Sequence, residues 1–175
     1  IWCASSTHNG EEKLCALVHK KLKLKYKNLL TVIIPRHIER AKKIESEMNK
    51  LNLSTHIHNS KYKMNKNTDI YLVDAYGKTK SFFKTCKIVF LGGSLIKHGG
   101  QNPLEAARYG CKILHGSYIW NFKEIYTLLE NFKISNKVQN VNQMAKIIQN
   151  LLSKKDNTKY IKSKIDKLGN KILKT

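Results

Sequence analysis

Short runs of apolar, often β-branched residues alternate along the chain with longer stretches in which apolar positions recur every three or four residues. The first kind predicts buried strands and the second amphipathic helices. Ile1 to Ala4 reads as a short buried strand, followed by a polar turn through Ser5-Ser6-Thr7-His8-Asn9-Gly10. A helix is then expected from about Glu11 to Leu24, with Leu14, Leu17, Val18 and Leu22 on one face; Asn9 and Glu12 have capping-box spacing at its start. Leu29 to Ile34 is continuous and β-branched, as in a strand covered on both faces, and a charged helix follows from about Glu39 to Leu51. Short strands are expected near Thr55–His58 and Ile70–Val73, then a helix over Thr79–Thr85 and a strand over Lys87–Leu91. Pro103 is placed to open a helix that closes at Gly110. The remaining expectations are a strand over Cys111–Leu114, a helix over Phe122–Asn131, a strand over Ile134–Val138, and helices over Val141–Leu152 and Asp156–Leu173.

Apolar strands alternating with helices predict an α/β fold, a Rossmann-like doubly wound parallel sheet. The expected organisation is one domain over residues 1–155 with a basic amphipathic helix over 156–175. Ile161, Ile165, Leu168 and Ile172 form the apolar stripe of that helix, and Lys159, Lys162, Lys164, Lys167 and Lys171 cover the rest. In such sheets ligands sit beyond the carboxyl ends of the strands. Three loops of that kind carry unusual residues: the turn after the first strand, Pro35-Arg36-His37, and Gly92 through Glu105.

Composition adjusts this picture in three places. The 175 residues, 41% hydrophobic, suffice for one domain with a core. No apolar run approaches the ~18 residues of a membrane span, and the start at Ile1, on an apolar run, suggests a piece of a longer chain. The net charge of +21 invites a nucleic-acid reading, but only Arg36, Arg40 and Arg108 are arginines. Base recognition and bidentate phosphate contacts favour Arg, so the lysines are expected to be solvated surface or to face an anionic membrane leaflet, and no nucleic acid is expected. Cys3, Cys15, Cys86 and Cys111 form no C-x-x-C pair and are expected to be buried free thiols; no metal site is expected.

The chemistry concentrates in the loops. Gly92-Gly93-Ser94 through Gly99-Gly100 allows close backbone approach to a ligand and feeds a helix start suited to phosphate. Glu105 can accept hydrogen bonds from a ribose diol or serve as a helix-start charge. Arg36, at a strand's carboxyl end, suits a phosphate or carboxylate, with a surface pair to Glu39 as the alternative.

These segments resemble the bacterial Kdo (3-deoxy-D-manno-octulosonic acid) transferases. Ser6-Thr7-His8-Asn9-Gly10-Glu11-Glu12 resembles that family's Ser-Thr-His-x-Gly-Glu-Glu signature, and Pro35-Arg36-His37-Ile38-Glu39-Arg40 its Pro-Arg-His-Pro-Glu-Arg. Gly92-Gly93-Ser94 through Asn102-Pro103-Leu104-Glu105-Ala106-Ala107, and Gly116 with Asn121-Phe122, resemble its later motifs. The departures are Ile38 for Pro, Gln101 for His, Ser117-Tyr118 for Pro-His, and Lys78 where an acidic residue is usual. The resemblance spans essentially the whole chain, as the C-terminal half of a GT-B glycosyltransferase. It implies nucleotide contacts at Pro35, Arg36, Tyr76, Gly77, Lys78, Asn102, Pro103, Leu104 and Glu105. Further candidate donor contacts are Ser6, Thr7, His8, His37, Gly93, Ser94 and Asn121. It also implies CMP-Kdo as donor, a lipid A precursor as acceptor, an inverting reaction with no metal or other cofactor, and work at the cytoplasmic face of the inner membrane. The catalytic carboxylate is implied to lie in an N-terminal domain, with no catalytic residue in the present chain. Other readings are a GT-B domain for a different nucleotide sugar, or a basic module for nucleic acid or a membrane surface.

Overall fold

In the computed structural model the described residues are 1–172, with side-chain placements to Leu168. The expected helix end at Leu173 lies outside the described residues, and the side chains of Ile172 of the expected stripe and of Lys171 on the opposite surface lie outside those placements. Seven strands among the described residues form one sheet: β1 (Trp2–Thr7), β2 (Thr31–Pro35), β3 (Thr55–Ile57), β4 (Ile70–Leu72), β5 (Ile88–Leu91), β6 (Lys112–His115) and β7 (Ser135–Lys137). Every pairing is parallel, in the order β3-β4-β2-β1-β5-β6-β7. The helices between them are α1 (Glu11–Lys23), α2 (Ala41–Lys50), α3 (Thr79–Thr85), α4 (Leu104–Arg108), α5 (Lys123–Asn131), α6 (Val141–Leu152) and α7 (Thr158–Ile172). This is the α/β Rossmann-like arrangement expected from the sequence.

Strand periodicity divides the core into two layers. Trp2 and Ala4 of β1 point into one, with Ile33, Leu72, Phe90 and Leu114, covered by α1, α2 and α6. Cys3 points into the other, with Val32, Ile34, Val89 and Ile113, covered by α3, α4, α5 and α7. Ile161 and Ile165 of α7 are buried in this second layer, so the apolar stripe of that helix packs on the domain up to Leu168. All four cysteines are free and buried.

Three local expectations are corrected. The first strand does not stop at Ala4 but runs through Ser5-Ser6-Thr7, because β1 is central and its backbone is paired on both sides. Ser6, at φ 54, makes an irregularity there and shifts the register against β2. The capping box of Asn9 and Glu12 does not form: Gly10 holds the cap position without a side-chain bond, and Glu12 binds Arg40 instead. The box is displaced by one residue, since Glu11 reaches back to accept the His8 N–H at 2.9 Å. The expected helix at Glu39 begins as a 3-10 turn over Ile38–Arg40 before α2.

Connections from β1 lead toward β2 on one side, whereas β5 lies on the other, so the direction of winding reverses between β1 and β5. That reversal opens a crevice at the carboxyl ends of the two strands.

Candidate functional site

The crevice is built where the β1–α1 turn meets the β5–α4 loop. Gly92 N–H donates to the Ser5 carbonyl at 2.8 Å, fastening the loop to the end of β1. A Cβ at Gly92 would stand 2.3 Å from the Ser6 carbonyl oxygen, so only glycine permits this approach. The next three N–H groups, of Gly93, Ser94 and Leu95, all point at the Glu11 carboxylate, at 2.8, 3.2 and 3.0 Å. With the His8 bond, Glu11 accepts four backbone donors and is fully buried. Burial pushes its pKa above the ordinary carboxylate value, against the lowering effect of those four hydrogen bonds.

This narrows the expectation for the glycine loop. Three amides at its start, of Gly93, Ser94 and Leu95, do not wait for a ligand; an internal carboxylate holds them. The N–H of Leu104, at the start of α4, is likewise taken by Asn102 Oδ1 at 3.0 Å. Glu11 is the residue that sequence reasoning missed, although it lay inside a quoted motif. Its signal was an acidic residue at a helix start in a chain whose paired glycines offered otherwise unpartnered amides.

Beside this braced turn lie the side chains that remain free to act. Pro35 ends β2 against Thr7, whose carbonyl accepts the Arg36 N–H at 2.9 Å, and the Arg36 side chain is exposed. Among the described residues Arg36 pairs with no carboxylate: Glu39 instead lies 3.5 Å from His37. Arg40, by contrast, is committed to buried Glu12 through two bonds of 2.9 and 3.1 Å. The His8 ring, 8% exposed, lies 4.1 Å from that of His98 at a 42° tilt and meets that of His37 edge-on at 6.1 Å. Its Nε2 is buried without a partner, as are Ser5 Oγ and Thr7 Oγ1. Burial first, then the nearby charges of His98, His37, Arg36 and Arg40, lower the His8 pKa to about 4.

The other predicted positions surround the same edge. Tyr76, Gly77 and Lys78 follow β4 and are exposed. Their loop reaches the β5–α4 side through Lys80, which lies 4.0 Å from Glu105. Asn102 is exposed, Pro103 buried, and Leu104 and Glu105 half-buried. Gly93 and Ser94 are buried, with Ser94 Oγ accepting the Gly116 N–H at 2.8 Å. Asn121 is exposed and directs its amide at the His98 carbonyl at 3.4 Å; with the half-exposed Trp120 it presses against Gly99. The structure therefore brings all these positions to one edge of the sheet, with Ser94 buried in the scaffold.

No family model matches the chain; its kinship rests on individual relatives. It is 32% identical over 173 residues to a 3-deoxy-D-manno-octulosonic acid transferase of Haemophilus influenzae, covering 99% of this chain and 40% of that protein. The enzyme of the same name from Aquifex aeolicus is 30% identical over 156 residues, 89% of this chain and 43% of its own length. The chain thus spans about two-fifths of these relatives. Among solved structures, the C-terminal CMP-Kdo binding domain of WaaA from Acinetobacter baumannii is similar, with a TM-score of 0.83 and 26% identity over 94% of this chain and 86% of that one. The chain is accordingly similar, along nearly its whole length, to part of these 3-deoxy-D-manno-octulosonic acid transferases and to a C-terminal CMP-Kdo binding domain.

Proposed function

We propose that this domain holds the donor CMP-Kdo for a Kdo transferase, at the carboxyl edge of β2, β1 and β5. The observation that carries the reading is the unpaired, exposed Arg36 beside the switch-point crevice, in a fold that matches a CMP-Kdo binding domain over nearly its whole length. Arg36 offers a fixed cation to the phosphate, Lys78 a second one from the neighbouring loop, and Glu105 a carboxylate for the ribose hydroxyls. Glu11 acts indirectly, holding the β5–α4 loop in the shape that sets these groups apart.

In this reading an N-terminal domain supplies the acceptor site for a lipid A precursor and the carboxylate that deprotonates its hydroxyl, so the reaction inverts the anomeric centre. The present residues stabilise the departing CMP by fixed positive charge, with no metal required. The exposed lysines of α7, whose apolar stripe is covered by protein, face the anionic lipid of the cytoplasmic leaflet of the inner membrane.

Calorimetric titration with CMP and with UMP, together with amide chemical-shift mapping, tests the donor assignment. CMP is expected to bind and to shift resonances around Arg36, Lys78 and Glu105. Equal binding of UMP at the same loops, or no binding of CMP, overturns it. A steep loss of affinity with salt, shared by any polyanion, would instead mark a nucleic-acid surface.

A further inference from the structure

His8 is a histidine with a vacancy. It sits at the junction of β1 and α1, nine-tenths buried, yet its Nε2 meets no hydrogen-bonding partner. An unmet buried polar atom costs about 1–3 kcal/mol, and the fold does nothing nearby to relieve it. The β5–α4 loop even makes room for the ring: Gly93, at φ 66, presents no Cβ, where one would stand 3.3 Å from His8 Nε2 and 3.0 Å from His98 Cδ2.

The surroundings are cationic and the local carboxylates are spent. From the β2–α2 connection, Arg36, His37 and Arg40 face the ring; from the β5–α4 loop, His98 lies against it. Glu11 is consumed by four backbone N–H groups, Glu12 by Arg40, and Glu39 stands outward beside His37. Among the described residues no group of three His, Cys, Asp or Glu side chains is arranged to hold a metal ion. What the pocket lacks is negative charge.

Resting on the donor-binding reading above, we propose that His8 is the proton-accepting contact for the donor's phosphodiester, neutral in the empty domain and charged only when the anion is bound. The anion meets exposed His98 first; turning that ring aside opens His8 Nε2. A lone pair on the His8 ring then takes one proton from the buffer, and the resulting imidazolium donates its N–H to a phosphate oxygen. Burial, the neighbouring His98 and His37 rings and the Arg36 and Arg40 guanidiniums oppose that proton in the empty site, where the His8 pKa is about 4. An anion at hydrogen-bond distance reverses the sign of the local field, so binding and protonation become one linked event.

The test uses the methyl ester of cytidine 5′-phosphate, a diester that carries no titratable phosphate proton of its own. Calorimetry at pH 7 in two buffers of different ionisation enthalpy is expected to show net uptake of up to about one proton, with affinity rising by at most about tenfold per pH unit as pH falls from 8 to 6. Ring NMR of the wild-type domain is expected to show His8 titrating near 4 when empty and well above 6 in the complex. In H8Q the diester still binds, more weakly, and the proton uptake disappears. A complex in which His8 stays neutral at pH 6, or binding without proton uptake, overturns the proposal while leaving donor binding intact. Failure of the wild-type domain to bind the diester at all overturns both.

Discussion

Glu11 and Arg36 show how one residue can look like the other's kind in a sequence and be the opposite in the fold. Arg36 is a charge left free at the crevice, so Arg36→Ala is expected to lower CMP affinity by about 1.5–3 kcal/mol, the range for a charged hydrogen bond. Unchanged affinity in calorimetry would make it an ordinary surface charge. Glu11 is a charge wholly absorbed by structure. Glu11→Gln turns one acceptor oxygen into a donor facing backbone N–H groups, and is expected to destabilise the domain by roughly 2–4 kcal/mol in urea unfolding, at least one broken bond plus an unmet buried donor. A loss below about 0.5 kcal/mol, the scale of ordinary surface substitutions, would mean the loop keeps its shape without it. His8 adds a pH dependence whose sign is fixed. Its folded pKa is depressed to about 4 from 6.5, so the unfolded chain binds the proton more readily over that interval. Its contribution to stability is therefore full above pH 6.5 and is lost as pH falls toward 4. Unfolding midpoints of H8Q are expected to fall less steeply across that window than those of the wild type.

At the scale of elements the sequence was most legible where burial is symmetrical. The continuous apolar runs of β2, β4 and β5 announce strands with helices on both sides, and the spacing in α3 and α6 gave their bounds to the residue. It was least legible at Ser5-Ser6-Thr7, where polar residues continue a central strand because pairing to both neighbours, not side-chain character, holds them. The site motifs fall together at one sheet edge, yet pattern alone could not reveal that Glu11 claims loop amides, since that depends on two segments 82 residues apart in sequence meeting in space. The last helix belongs here too. Ile161 and Ile165 are buried, each with a burial free energy of about 1.5–3 kcal/mol, whereas Lys159, Lys162 and Lys167 are exposed and Lys164 lies over the Phe132 and Tyr160 rings. Deleting 156–175 is expected to destabilise the domain as well as weaken its proposed attachment to lipid. Reversing the charge of Lys159, Lys162 and Lys167 separates the two: melting should stay unchanged while co-sedimentation with anionic vesicles falls. Unaltered sedimentation would leave α7 as packing alone.

For the molecule as a whole, the proposed division of labour between two domains implies that binding and chemistry can be separated. Residues 1–175 by themselves are expected to bind CMP but to transfer no sugar from CMP-Kdo to a lipid A precursor, because the proposed reading puts the base for the acceptor hydroxyl in an N-terminal domain. Robust turnover by the purified chain would sink that division. The two tryptophans lie at the two poles of this design. Trp2 is sealed in the core beside β2, while Trp120 is 56% exposed and leans on Gly99, at the end of the glycine loop. The protein thus carries two intrinsic fluorophores with different environments: the emission of Trp2 shifts only when the core opens, whereas Trp120 is within reach of iodide and of any occupant that tightens the loop. Collisional quenching therefore divides the emission into a folding signal and a loop signal without a label.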